Sequence, residues 1–120
     1  HAGVFVEDVD SLDLAAIGPE FEHHPLFPER INTEFVQVVS RDKLKMRVWE
    51  RGSGETLACG TGTASVVVAL KERGRTDGKD VPVQVPGGTL TIDIEEDGVY
   101  LSGPTEVVFE GYVNVKDIVK

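Results

Sequence analysis

The chain is poor in the residue types that give many small proteins covalent or metal-based stability. Among its 120 residues are one cysteine, one methionine, one tryptophan and three histidines. A single cysteine cannot form a disulfide within the chain, and the histidines show no metal-ligand spacing. The sequence therefore predicts no disulfide framework, no metal and no cofactor. Cys59 is therefore either a buried structural thiol or a thiol that takes part in a reaction.

Basic residues and long apolar runs are also scarce. Twelve Lys and Arg stand against 21 Asp and Glu, a net charge of −9, which opposes general binding to nucleic acids or anionic membranes. No run approaches the roughly 20 apolar residues that span a bilayer, and the N-terminus has no signal-peptide pattern. We therefore expect a soluble cytoplasmic protein without nucleic-acid or membrane partners. A hydrophobic content of 40% over this length predicts one domain, residues 1–120.

Most of the chain alternates apolar and polar residues as strands do. Residues 32–40 and 44–50, joined by a short turn, predict a hairpin. Glycine and proline turns separate the later runs, which predict an antiparallel meander of strands at 81–85, 89–94, 99–101 and 107–113. A further short strand is expected around residues 4–6.

Two helices are predicted. The first begins with Ser11 as its N-cap and runs to His23, although Pro19 is unfavourable in a helix interior. The second, at about residues 60–74, is apolar nearly all round and ends at Gly74, so we expect it to be buried. The fold class is therefore α+β, with an antiparallel sheet or half-barrel wrapped around a central buried α-helix.

Cys59 lies in a glycine-rich turn that opens directly into this second helix. The first N–H groups of a helix lack intrahelical partners and carry a partial positive charge, which favours a thiolate or a bound carboxylate. Gly60 and Gly62 would let a ligand approach the backbone closely. The alternative interpretation is a structural thiol before an ordinary helix start, with Thr61 and Thr63 acting only as caps.

Three segments in this order resemble the C-terminal half of diaminopimelate epimerases: residues 1–6, residues 25–36 and residues 50–62. The resemblance implies an isomerase that needs no cofactor. Such an enzyme interconverts L,L- and meso-2,6-diaminopimelate, in lysine and peptidoglycan biosynthesis, with two cysteines on opposite faces of the α-carbon. Cys59 would be one catalytic cysteine. The other would come from a missing N-terminal domain, so the isolated chain is expected to be inactive.

The resemblance also implies roles for residues that are unremarkable by themselves. His1 and Glu50 would modulate the pKa of the thiol. Without the resemblance, His1 would be a frayed chain end and Glu50 a solvated charge. Substrate-binding roles fall on Asn32, Glu50, Arg51, Gly60 and Thr61. Glu50 would meet the substrate ammonium, Asn32 and Arg51 the distal carboxylate, and the N–H groups of Gly60 and Thr61 the α-carboxylate.

Two other functions are compatible with the same turn. One is a racemase for another small amino acid, similar to proline racemase; Arg51 and Asn32 oppose it, because a substrate without a distal carboxylate would leave them unpaired. The other is a carboxylate-binding domain without catalysis. The expected partners are the small-molecule substrate diaminopimelate and the missing N-terminal domain of the same enzyme. A homodimer with a second copy of the protein is also possible.

Overall fold

The computed structural model describes residues 1–119 and shows one mixed sheet with helices on both faces. The seven strands are β1 Ala2–Phe5, β2 Thr33–Ser40, β3 Lys43–Glu50, β4 Gly54–Thr56, β5 Val81–Val85, β6 Gly88–Glu95 and β7 Gly98–Ser102. The helices are α1 Leu14–Glu22, α2 Gly60–Glu72 and α3 Val115–Ile118. The strand order is β1-β2-β3-β5-β6-β7, with β4 paired to β3.

The α+β class and the β2–β3 hairpin are confirmed, but the sheet is not antiparallel throughout. Strand β1 runs parallel to β2 and β3 runs parallel to β5, whereas the other pairings are antiparallel. Parallel neighbours need a long crossover connection. Here α1 connects β1 to β2, and β4 with α2 connects β3 to β5.

The first helix starts later than predicted. Asp13, rather than Ser11, is the N-cap, and its Oδ1 accepts a hydrogen bond from the Ala16 N–H at 3.2 Å. Ser11 instead closes a short 3-10 turn, Val9–Ser11, where its hydroxyl donates to the Asp8 carbonyl. Pro19 lies inside α1 without ending it, because the helix continues to Glu22.

The second helix starts and stops where its sequence predicts. Its hydrogen-bond ladder begins with the Thr63 N–H donating to the Cys59 carbonyl at 2.9 Å. At the other end Gly74 adopts a positive φ of 68°. The Gly74 N–H then donates to the Lys71 carbonyl and the Arg75 N–H to the Leu70 carbonyl, which is the Schellman arrangement that favours glycine.

The two faces of the sheet carry separate cores. One core lies between α2 and the sheet, with Val36, Met46 and Val67 at its centre. The other lies under α1 and contains Leu14 and Phe35. Because side chains alternate along a strand, consecutive residues of β2 contribute to different cores.

Burial of α2 is one-sided among residues 1–119, so the expectation of burial all round is wrong there. Gly62, Val66, Val67 and Leu70 are buried, whereas Ser65 on the opposite face is exposed. The sheet lies against only one side of the helix, and no other element of the described chain covers the second side.

The predicted last strand is absent. Residues 107–113 carry no strand, and residues 103–119 are exposed along their whole length, with α3 as their one short helix. A strand needs a neighbour for its backbone hydrogen bonds, and this segment leaves the sheet after β7. Among the described residues, no helix is long and apolar enough to cross a membrane.

Candidate active site

Cys59 is the N-cap residue of α2 and is half-buried. Its backbone is extended (φ −139°, ψ 108°), and its Sγ lies 3.8 Å from the Thr61 hydroxyl. Within residues 1–119, the N–H groups of Gly60, Thr61 and Gly62 have no hydrogen-bond acceptor. The thiol therefore sits beside three free donors at a helix N-terminus, an arrangement suited to binding an anion.

His1 lies beside the thiol and is held there by a glutamate. The His1 Nδ1 is 2.7 Å from Oε1 of Glu34, and a ring nitrogen, a Glu34 oxygen and the Cys59 Sγ lie within 4.8 Å of one another. A thiol, an imidazole and a carboxylate at this separation could exchange protons or hold a metal ion, and the 2.7 Å hydrogen bond already engages one oxygen of Glu34.

Glu34 is a site residue that sequence reasoning missed. It occupies β2 opposite Val48, faces α2 and is fully buried. Burial raises its pKa to about 7; the N-terminal ammonium opposes this rise and Glu50 adds to it. The signal in the sequence was a glutamate at an inward-facing position of a strand, in phase with Val36.

Gly62 is present to accommodate Glu34. A Cβ added at this position would overlap Oε1 of Glu34, so only glycine allows the carboxylate to lie against the first turn of α2. Glu34 therefore fills the space on the Cβ side of Gly62. That a ligand can approach the backbone of Gly62 stays a prediction, since this contact does not involve its N–H group.

The loop after β3 brings together the residues expected to bind a distal carboxylate. The Arg51 N–H donates to Oδ1 of Asn32 at 2.7 Å, so the Asn32 amide nitrogen is the end left for another partner. The Arg51 guanidinium donates to the Glu29 carbonyl at 3.2 Å. Glu50 accepts a hydrogen bond from the Thr56 hydroxyl at 2.8 Å. It lies in phase with Val48, on the face of β3 that carries α2.

A second buried glutamate, also missed from the sequence, anchors this loop. Glu22 accepts hydrogen bonds from the Gly52 N–H at 2.8 Å, the Trp49 indole N–H at 2.7 Å and Arg30 at 3.2 Å. The Gly52 N–H and the Trp49 N–H, in that order, lower its pKa. The α1 stripe of Leu14, Gly18 and Glu22, spaced four residues apart, was the available signal.

The other two histidines lie away from this chemistry. His24 accepts a hydrogen bond from the Leu26 N–H at 3.2 Å through its Nδ1, and the His23 Nε2 lies 3.9 Å from Glu22. Both follow α1, which ends at Glu22, one residue before the predicted end at His23, and neither belongs to the cluster around Cys59.

The fold and this cluster can be compared with known proteins. The family model of diaminopimelate epimerase matches residues 1–108. The chain belongs to the diaminopimelate epimerase family. The diaminopimelate epimerase of Nostoc punctiforme is 57% identical over 113 residues, which cover 92% of this chain and 40% of that protein. The diaminopimelate epimerase of Synechocystis is 52% identical over 117 residues, covering 96% and 42%.

The chain thus spans about two fifths of the length of these diaminopimelate epimerases. Among solved structures it is similar to a phenazine biosynthesis protein of the PhzF family from Bacillus anthracis. The TM-score is 0.56 at 26% identity, covering 82% of this chain and 33% of that one. This similarity confirms the diaminopimelate-epimerase-like fold.

Proposed function

We propose that this chain supplies one of the two acid–base thiols of a diaminopimelate epimerase, an isomerase that needs no cofactor. The observation that carries the proposal is Cys59 at the start of α2, beside three free N–H groups and the His1–Glu34 pair. The curated relatives that are diaminopimelate epimerases support the choice of reaction.

The substrate would be held at both ends. Its α-carboxylate accepts hydrogen bonds from the N–H groups of Gly60 and Thr61, where the partial positive charge of the helix also favours negative charge developing at the α-carbon. Its ammonium meets Glu50. Its distal carboxylate pairs with Arg51 and the amide nitrogen of Asn32, through charge-assisted hydrogen bonds.

The reaction is a proton exchange without oxidation or reduction. The Cys59 thiolate takes the α-proton, so the C–H bond breaks, an S–H bond forms and the electron pair stays on the substrate. A second thiol, contributed by the preceding part of the protein, donates a proton to the opposite face. In the reverse direction the two thiols exchange roles, and His1 modulates how readily Cys59 holds its proton.

The loop residues argue for a substrate with two carboxylates. Asn32 and Arg51 converge at the end of β3, joined by a 2.7 Å hydrogen bond. A proline-type substrate would leave the Asn32 amide nitrogen and the remaining N–H groups of the Arg51 guanidinium without a substrate partner, which is unfavourable once a closed site excludes water. We therefore prefer diaminopimelate to the substrates of the related racemases.

The test is exchange of the substrate α-proton with deuterated water. A chimera would join this chain to the preceding region of the Nostoc punctiforme relative. We expect inversion with deuterium incorporation in the chimera and loss of both in Cys59→Ala. Ser65→Ala, an exposed change on the same helix, is the matched control. Full activity of Cys59→Ala in a folded chimera would contradict the proposal.

The isolated chain provides a second check. With one thiol it should neither invert nor racemise diaminopimelate, because inversion needs an acid on each face. Measurable inversion by the purified 120-residue chain would overturn the two-thiol mechanism.

A further inference from the structure

Glu34 is a fully buried ionisable side chain to which the proposed mechanism gives no role of its own. It is 0% exposed, and its Oε2 has no hydrogen-bond partner within residues 1–119. Burying a carboxylate with an unsatisfied oxygen costs free energy. Such an unfavourable placement beside a reactive thiol points to a function in that site.

The surrounding chain is shaped around this side chain. Strand alternation directs Glu34 toward α2, and Gly62 provides the space in which its carboxylate lies. A cavity of about 110 Å³ adjoins it, lined by His1, Glu34 and Val66 among others. The carboxylate is therefore built into the base of the site rather than left there by a flexible surface.

The contact with His1 determines how that ring is presented. An ionised Glu34 accepts a hydrogen bond from the His1 Nδ1–H, across the observed 2.7 Å. This leaves Nε2 as the ring nitrogen that Glu34 does not engage. The His1 side chain is 26% exposed and would otherwise rotate freely at the start of β1.

We propose that Glu34 is a positioning residue that holds the His1 imidazole beside Cys59 and thereby keeps more of this thiol in its thiolate form. An ionised carboxylate favours the imidazolium form of His1, and an imidazolium beside a thiol favours the thiolate. Acting directly on Cys59, the charge of Glu34 would have the opposite effect. The sign of the effect therefore shows whether Glu34 acts through His1.

Two other charges face Glu34: the N-terminal ammonium and Glu50. The test must hold both constant. A double-mutant cycle of Glu34→Gln and His1→Ala does so, because every variant keeps the terminal amine and Glu50. Glu34→Gln also retains an oxygen that can accept the hydrogen bond while removing the charge.

The measurement is the rate of Cys59 alkylation by iodoacetamide as a function of pH, in the 120-residue chain. At about pH 7.5 we expect Glu34→Gln to slow alkylation about three- to tenfold, because removing the carboxylate charge disfavours the imidazolium that faces the thiol. In the His1→Ala background the same change should cause no slowing, because only direct repulsion remains. Glu20→Gln, an exposed change on α1, should leave the rate unchanged.

Other results would overturn the proposal. Equal slowing in both backgrounds would indicate a merely structural role for Glu34. Faster alkylation in both would indicate direct repulsion of the thiolate. An unchanged rate in both would show that Glu34 does not act on Cys59 at all. Circular dichroism and urea unfolding would verify that each variant is folded.

A second measurement needs no variant. In the chain labelled with ¹⁵N-histidine, Nδ1 of His1 should remain the protonated, hydrogen-bonded nitrogen from about pH 7 to 9, the range in which an ionised Glu34 accepts from it. An Nδ1 without a proton in that pH range would contradict the proposed contact. This inference rests on Cys59 being the reagent of the proposed function. Alkylation and NMR use no substrate, so their failure is distinguishable from failure of the deuterium-exchange test.

Discussion

Two buried glutamates lie near the candidate site, and their surroundings differ. Glu22, at the loop that carries Arg51, is 5% exposed and accepts three hydrogen bonds. Glu34, beside Cys59, is 0% exposed and has one hydrogen-bonded oxygen and one without a partner in residues 1–119. The pKa of Glu22 is accordingly lowered, chiefly by the Gly52 N–H, and burial raises that of Glu34 to about 7.

The candidate site therefore has two ends that differ. The fixed end is the loop with Arg51, where Glu22 stays charged, and the titratable end is at Cys59, where Glu34 can gain or lose a proton near pH 7. A carboxylate with a lowered pKa stays charged at neutral pH and holds its loop in one geometry. A carboxylate with a pKa near 7 gains or loses a proton in the range where proton transfer by a thiol is efficient. In the proposed function, the holding of substrate and the movement of protons would thus depend on two similar side chains in dissimilar surroundings.

The largest expected effect is on how stability depends on pH. The pKa of Glu34 rises from 4.5 in the unfolded chain to about 7 in the folded one. The folded chain therefore binds more protons between these values. The associated stability is present below about pH 4.5 and is lost as pH rises through 7, by about 3 kcal/mol in all.

Glu34→Gln should remove this loss. Urea unfolding at about pH 5 and pH 8.5 would measure it, with Glu20→Gln as the exposed control. His1, the terminal ammonium and Glu50 face Glu34 and are unchanged in both variants. If stability fell by the same amount between these pH values in Glu34→Gln and in the parent chain, Glu34 would not be the group that causes the loss. The contrast between Glu34 and Glu22 would then fail.

An effect of up to similar size concerns the loop end and substrate binding. Arg51 is exposed and contacts the chain through the Glu29 carbonyl, so Arg51→Ala should alter the free energy of unfolding little. In the active chimera it should weaken substrate binding by about 1.5–3 kcal/mol, the value of a charge-assisted hydrogen bond. The measurement is KM for diaminopimelate, and Arg41→Ala, at the distant β2–β3 turn, is the control. An unchanged KM would contradict the assignment of a distal carboxylate.

Two glycines allow a matched comparison of packing at the two ends. A Cβ at Gly18 would overlap the indole of Trp49, and one at Gly62 would overlap the carboxylate of Glu34. The indole is rigid and held by Glu22, whereas a carboxylate ends a flexible side chain. We expect Gly18→Ala to destabilise the chain by about 2–3 kcal/mol and Gly62→Ala by about 1–2 kcal/mol.

Urea unfolding at constant pH would measure both. Gly98→Ala is the control, because no atom lies within 4 Å of its added Cβ. A cost for Gly62→Ala above that for Gly18→Ala would mean that Glu34 is held as rigidly as Trp49, and the contrast between the two ends would fail.

Local sequence signals were sufficient for some of these features. The start of α2 at Cys59 follows from glycines before an apolar run, its end from Gly74, and the β2–β3 hairpin from two alternating segments. These features depend on neighbouring residues, so a single sequence contains what is needed to predict them.

Features that depend on distant partners were missed. Glu22 and Glu34 are buried because Trp49, Gly52 and Gly62, far along the chain, provide contacts or space. Without them, burial of either carboxylate would be unfavourable, and nothing in the neighbouring sequence indicates it. The strand predicted at residues 107–113 is also absent: its apolar content is real, but the segment leaves the sheet after β7 instead of pairing with the outer edge of that strand, which is free in the described chain.

The smallest expected effect tests whether the loop end is independent of the thiol end. Glu22→Gln keeps a side chain of similar shape but removes the charge that the Gly52 and Trp49 N–H groups stabilise. Because the folded pKa of Glu22 is lowered, its contribution to stability is present above the unfolded pKa of 4.5 and is lost as pH falls below it. Glu22→Gln should therefore flatten the acid side of the stability profile, opposite to the effect of Glu34→Gln.

The same variant should loosen the loop without altering the thiol. Amide hydrogen exchange at Gly52 should become faster, since its N–H loses a charged acceptor. In the chimera, KM should rise by a few-fold, less than in Arg51→Ala, while kcat stays within about twofold because Arg51 is misplaced rather than removed. Iodoacetamide alkylation of Cys59 should not change. If Glu22→Gln altered the pH profile of alkylation as Glu34→Gln is expected to, the two glutamates would form one coupled network, and the separation into a fixed end and a titratable end would be wrong.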